Sequence, residues 1–91
     1  MDSAISVTSH LILAASPDEA RLAGKAERRS RIIEAARDLI REHGEAGFTM
    51  SALARRANVS PATPYNLVGP RPRVIEAVVA QEFEAFRNRL V

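Results

Sequence analysis

An all-α fold is predicted from three features of the 91-residue chain. Apolar residues recur at helical spacing in separate stretches, no stretch alternates apolar and polar residues as a half-buried strand would, and the breakers Gly44, Asn58, Gly69 and Pro70 separate the stretches. The architecture expected is a three-helix bundle containing a helix-turn-helix, homeodomain-like in outline, with a fourth connecting helix and a flexible N-terminal arm. At this length there is room for one small core.

The elements follow in order. Residues 1–24 mix Ser, Thr, Ala and single charges, with Pro17 and Gly24 read as breakers, and are taken as the flexible arm. Residues 25–91 form the folded domain. A first helix is expected from about Ala26 to His43, burying Ile32, Ile33, Ala36, Leu39 and Ile40, and Gly44 stops it. Thr49 caps a second helix over Met50 to Ala57, with Met50, Leu53, Ala54 and Ala57 inward. Asn58 breaks it, being a residue that tolerates a left-handed backbone. Val59 then plugs the core, and Ser60 and Pro61 are N-cap and first residue of a third helix that ends by Val68, before Gly69, Pro70 and Pro72. A fourth helix from about Pro72 carries Ile75, Val79, Phe83, Phe86 and Leu90 on one side with Val78 beside them, partly against the first helix and partly bare.

Charge is distributed unevenly. Thirteen Lys plus Arg stand against eleven Asp plus Glu, a net charge of only +2, yet twelve of the thirteen cations are Arg and the span 46–75 holds four arginines and no carboxylate. Duplex DNA presents about one negative charge per ~1.7 Å, so a face that docks on it gains from arginine and loses from uncompensated acids. Arg55 and Arg56 are candidates for phosphate contact on this basis. Arg28, Arg29 and Arg31 fit either a DNA-tracking arm or an ordinary surface paired with Glu27 and Glu34.

The chain carries, in order, Arg31-Ile32-Ile33-Glu34-Ala35-Ala36 with Leu39 and Ile40, His43-Gly44, Gly47-Phe48-Thr49-Met50, Leu53-Ala54, Val59-Ser60-Pro61-Ala62-Thr63 and Tyr65. On these motifs it resembles, from Ser30 to about Leu90, the N-terminal DNA-binding domain of the TetR (tetracycline repressor-like) family of transcriptional regulators. The resemblance implies a repressor that binds duplex DNA. It also implies roles: Thr49 as cap and phosphate contact, Thr63 at the groove, Tyr65 on backbone phosphate, and Arg71 as the cation at the start of the fourth helix. Pro61, Ala62 and Asn66 would face the groove, Asn66 being the residue able to read adenine in bidentate fashion. Ser60 would start the reading helix with amides that suit phosphate oxygens. Pro64, Val68 and the Gly69-Pro70-Arg71-Pro72 link depart from the family pattern, and Pro64 predicts a short or 3₁₀-like start to the third helix.

Family members continue into a larger helical domain that binds effectors and forms the dimer, whereas this sequence stops at Val91. No small-molecule effector pocket is therefore expected in it. The alternative reading is a truncated regulator that acts as a helical interaction module, forming a homodimer or meeting a partner helix through Phe83, Phe86 and Leu90. Catalysis is not expected: Ser51 and Ser60 have no positioned histidine, and Glu42 and Glu45 flank a helix end. With no cysteine and two isolated histidines, His10 and His43, no metal or other cofactor is expected. The apolar run Leu11 to Ala15 is too short for a membrane span, and the cytoplasm is the expected compartment.

Overall fold

The computed structural model describes residues 16–90, and among them there are four helices and no strand. They are α1 (Pro17–His43), α2 (Met50–Ala57), α3 (Thr63–Leu67) and α4 (Arg71–Leu90). Residues 1–15 of the expected arm, including His10, and Val91 lie outside the described residues. No helix among those described is long and apolar enough to cross a membrane.

Helix α1 starts well before Ala26, which corrects the arm boundary expected at residue 24. Ser16 and Glu19 form a reciprocal capping box: the Glu19 amide donates to Ser16 Oγ at 3.1 Å, and the Ser16 amide donates to Glu19 Oε2 at 3.3 Å. Pro17 occupies the first turn, where its missing N–H costs nothing, and Asp18 and Glu19 favour the positive end of the helix. Gly24 costs about 1 kcal/mol relative to Ala in a helix interior, which this start outweighs. Apart from the half-buried Gly24, every residue from Ser16 to Arg31 is nevertheless exposed. The first buried residue is Ile32, so half of α1 projects from the body.

The body is built where α1 meets the other three helices. Its core holds Ile32, Ile33, Ala35, Ala36 and Leu39 from α1, Phe48 from the following loop, Leu53 and Ala54 from α2, and Val74 and Val78 from α4. Ile40, Met50, Ala57, Leu67, Val68 and Ile75 pack around it, half-buried. Gly44 ends α1 at φ +76°, its amide returning to the Ile40 carbonyl at 2.7 Å. Gly47 is required by close approach, since a Cβ there would lie 2.7 Å from the His43 carbonyl oxygen. Phe48 precedes the Thr49 cap and shares the core with Leu53 four residues into the helix, the arrangement of a hydrophobic staple.

Two expectations about the core need correction. Val59 is only half-buried, and beyond the turn the fully buried side chain is Pro64 of α3. On α4 the buried residues are Val74 and Val78, while Val79, Phe83, Phe86 and Leu90 are 60%, 67%, 54% and 73% exposed. The longest apolar stripe of α4 is therefore not its inward face. Only the first half of α4 lies alongside α1, held there by Glu82, which accepts from Arg41 at 3.0 Å and lies 3.7 Å from Arg37. Beyond it α4 runs free, and the domain measures 53 × 36 × 17 Å.

Candidate nucleic-acid interface

The turn between α2 and α3 is formed by local chemistry. Asn58 closes α2 in the left-handed region (φ 57°, ψ 49°), and the Val59 amide reaches back to the Ala54 carbonyl at 3.0 Å. Asn tolerates this conformation because its short polar side chain can compensate locally. The small, buried Ala54 leaves room for the two helices to approach.

Helix α3 is shorter and starts later than expected. Ser60 is not its N-cap. That position falls to Ala62, in helical conformation and without a side-chain capping bond. The Ser60 carbonyl instead accepts from the Thr63 amide at 3.0 Å, a three-residue reach, and the two hydroxyls of Ser60 and Thr63 meet at 2.7 Å. Pro64, second in the helix, explains the geometry: it lacks the N–H that would continue an α-helical ladder back to Ser60, so a tighter turn takes its place. The amide at Thr63 is engaged by Ser60 rather than offered to a phosphate.

Burying Pro64 and half-burying Thr63 and Leu67 turns the rest of this element outward. Ser60, Pro61, Ala62, Tyr65 and Asn66 are exposed. Ala62, Tyr65 and Asn66 share one face by their three- and four-residue spacing, and the Asn66 amide bonds the Ala62 carbonyl at 3.0 Å. A small residue, an aromatic hydroxyl and a carboxamide thus form one outward edge. Five of the predicted contacts are brought together here, with Thr63 at its inner border.

The arginines divide into three situations. Arg55 is exposed and has no ion-pair partner among the described residues. Arg56 bonds Glu42 of α1 at 2.6 Å, a pair between half-exposed side chains that ties α2 to α1 and offsets part of its charge. Arg71 is not a free cation at the start of α4. Its Nε donates to the Phe48 carbonyl at 3.2 Å, a terminal nitrogen donates to the Glu45 carbonyl, and its guanidinium carbon lies 5.7 Å from the Phe48 ring centroid. It clamps α4 to the loop that leads into α2. Thr49, the residue after Phe48, is exposed and uses its hydroxyl as cap, accepting from the Ala52 amide at 3.1 Å.

Phe48 is not among the site residues expected from the sequence. Its signal was available: an aromatic immediately before a capping Thr, with Leu four residues into the helix, marks a staple, and the staple is what sets the loop carbonyls where Arg71 reaches them. Gly69, at φ +139°, lets the chain turn into α4; a Cβ there would approach Arg73 Cβ to 2.9 Å.

A braced α2, a left-handed Asn and a short second helix turned outward define a helix-turn-helix protein. Residues 32–66 match the family model for bacterial regulatory proteins of the tetR family, so this segment is a helix-turn-helix of that family, one of DNA-binding transcription regulators. The match runs from the first buried residue of α1 to Asn66 and leaves the projecting half of α1 and all of α4 outside it. No curated protein and no solved structure matches the chain.

Proposed function

We propose that the chain binds duplex DNA in a sequence-specific manner through α2 and α3 and represses transcription by occupying its site. The observation that carries this reading is the outward edge Ala62, Tyr65 and Asn66, standing in a span, 46–75, that contains arginines and no carboxylate. In a helix-turn-helix the second helix meets base edges while the first braces across the backbone. Asn66 is the base reader, with Pro61, Ala62 and Thr63 lining the groove. Tyr65, Ser60, Thr49 and Arg55 hold phosphates. Arg56 and Arg71 act with their remaining donors and chiefly position α2 and α4. The role is binding rather than catalysis, and its place is the cytoplasm, where bacterial DNA lies.

Titration of the chain against a random duplex pool at low salt, followed by selection, tests the reading. Retention of a preferred sequence is expected, and absence of any duplex binding sinks it. On the selected site Asn66→Ala should cost ~1–3 kcal/mol and relax preference at one base pair, whereas Arg55→Ala should weaken all sequences alike. Equal losses on every sequence from both would remove Asn66 as the reader.

A second reading is favoured by the exposed stripe Val79, Phe83, Phe86 and Leu90: α4 pairs with another helix, in a homodimer or a partner protein, without operator binding. Analytical ultracentrifugation at high concentration separates the two.

A further inference from the structure

The half of α1 that projects from the body, where the sequence suggested a structureless arm, has a sided charge pattern. Arg21, Lys25 and Arg28 follow one another at four- and three-residue steps, and the next step on the same stripe is Ile32, the first residue of α1 to enter the core. The stripe is thus a continuation of the face that packs against α2, α3 and α4. Glu19 and Glu27 fall on the opposite side of the helix. Asp18 is the one acid on the stripe's side, paired with Arg21 at 2.8 Å. Lys25, Arg28 and the flanking Arg29 make no ion pair among the described residues.

The root of this projection is fixed beside the reading helix. Arg29 borders the same surface depression as Val68, which directly follows α3, and Arg73 and Glu76 at the start of α4, Glu76 being the one acid there. The basic stripe therefore begins next to the end of α3 and runs outward for about 22 Å, taking ~1.5 Å per residue from Ile32 back to Pro17. The side opposite is made of Ala20, Ala23, Ala26 and Ser30 with two acids, too small and too charged to enter a lipid surface.

We infer that the N-terminal half of α1 is a second DNA-contacting element. Arg21, Lys25 and Arg28 hold backbone phosphates of the duplex that flanks the site read by α3. The element adds affinity and carries no sequence preference of its own, since the phosphate backbone is the same beside any site. It rests on the reading of α2 and α3 as a DNA-binding unit and extends the contacted duplex by up to roughly six base pairs at ~3.4 Å each, the limit for a projection lying along the duplex axis.

The test compares the full chain with its R21A/K25A/R28A variant on two duplexes, the selected site alone and the site with one helical turn of flanking sequence on each side. Alanine is a stronger helix former than the residues it replaces, so circular dichroism should show helicity retained. On the long duplex the variant's log–log salt slope should be shallower by about 2.7, at ~0.9 per phosphate contact, so between 50 and 200 mM salt the wild type should lose on the order of 40-fold more affinity than the variant. On the short duplex the two proteins should converge, and site preference should be the same in both. Equal slopes on the long duplex would overturn the inference while leaving α3's role intact. Failure of the wild type to bind either duplex would instead overturn the reading beneath it.

Discussion

Helices α1 and α4 both run past the body of the domain, α1 at its N-terminal end and α4 at its C-terminal end, and in both cases the projecting half buries nothing. Their surfaces differ. Water and counterions solvate the Arg21, Lys25 and Arg28 stripe of α1 without strain, and Leu22 is the only large apolar residue exposed there. The far half of α4 exposes two phenylalanines and a leucine, which water solvates poorly. A charged projection can wait for a polyanion as a stable monomer, whereas an apolar one is driven toward any matching apolar surface. Neither end would hold as an isolated peptide, because helix nucleation is costly and short helices are marginal alone. Each is helical because the body supplies the nucleus and the end only propagates it.

The largest predicted effect comes from removing that nucleus. Leu53 is fully buried between α1 and α2, and Leu53→Ala should cost ~2–5 kcal/mol. In a domain this small that is a large share of the total stability. Denaturant melts followed by circular dichroism should show both projections losing helicity together with the body. Retention of most helicity in a variant whose body has unfolded would mean that the ends are autonomous.

A smaller effect sharpens the contrast between body and end. Thr49 and Ser16 make the same kind of cap, each accepting from the amide three residues on at 3.1 Å. Thr49→Ala should lower global stability by ~1 kcal/mol, because α2 is a single short element of the core. Ser16→Ala should leave the unfolding midpoint unchanged and only fray α1. Hydrogen exchange would detect this as lost protection in residues 20–28, with protection around Ile32 and Leu39 preserved. A shift of the global midpoint by Ser16→Ala would show that the projection is coupled to the body after all.

How much of this was legible in the sequence depends on the range of the interaction. The α1 core stripe, the stops at Gly44 and Asn58, the Thr49 cap and the tight start that Pro64 gives α3 all depend on residues within a turn of one another, and sequence and structure agree on them, whereas the N-cap expected at Ser60 falls to Ala62. Ser16, Pro17 and Glu19 are equally local, but a proline signals a helix break and a helix first turn alike, and only the capping box shows that Pro17 stands in the first turn. The buried face of α4 was a different matter. Val74 and Val78 are inside because α1 lies on that side, and no local rule distinguishes them from the longer Val79, Phe83, Phe86, Leu90 stripe. The same holds for Arg71, whose hydrogen-bond partners Phe48 and Glu45 lie more than twenty residues away in the chain, and for Arg56, whose charge is shared with Glu42.

A small effect on stability is expected at the apolar end of α4 too, and its value lies in the gap between that and its effect on association. Phe83 and Phe86 are more than half exposed, so replacing both with Ser should change the unfolding free energy by no more than about 0.5 kcal/mol per site. Four side chains on one helix amount to a patch of a few hundred Å², short of the roughly 1,000 Å² that a stable interface clears, so pairing through it should be weak. Sedimentation of the wild type should accordingly show a concentration-dependent shift toward dimer that the F83S/F86S variant lacks, at matched thermal stability. A wild type that remains monomeric at high concentration would deprive the second functional reading of a homodimer, and the bare stripe would then require a partner of different sequence.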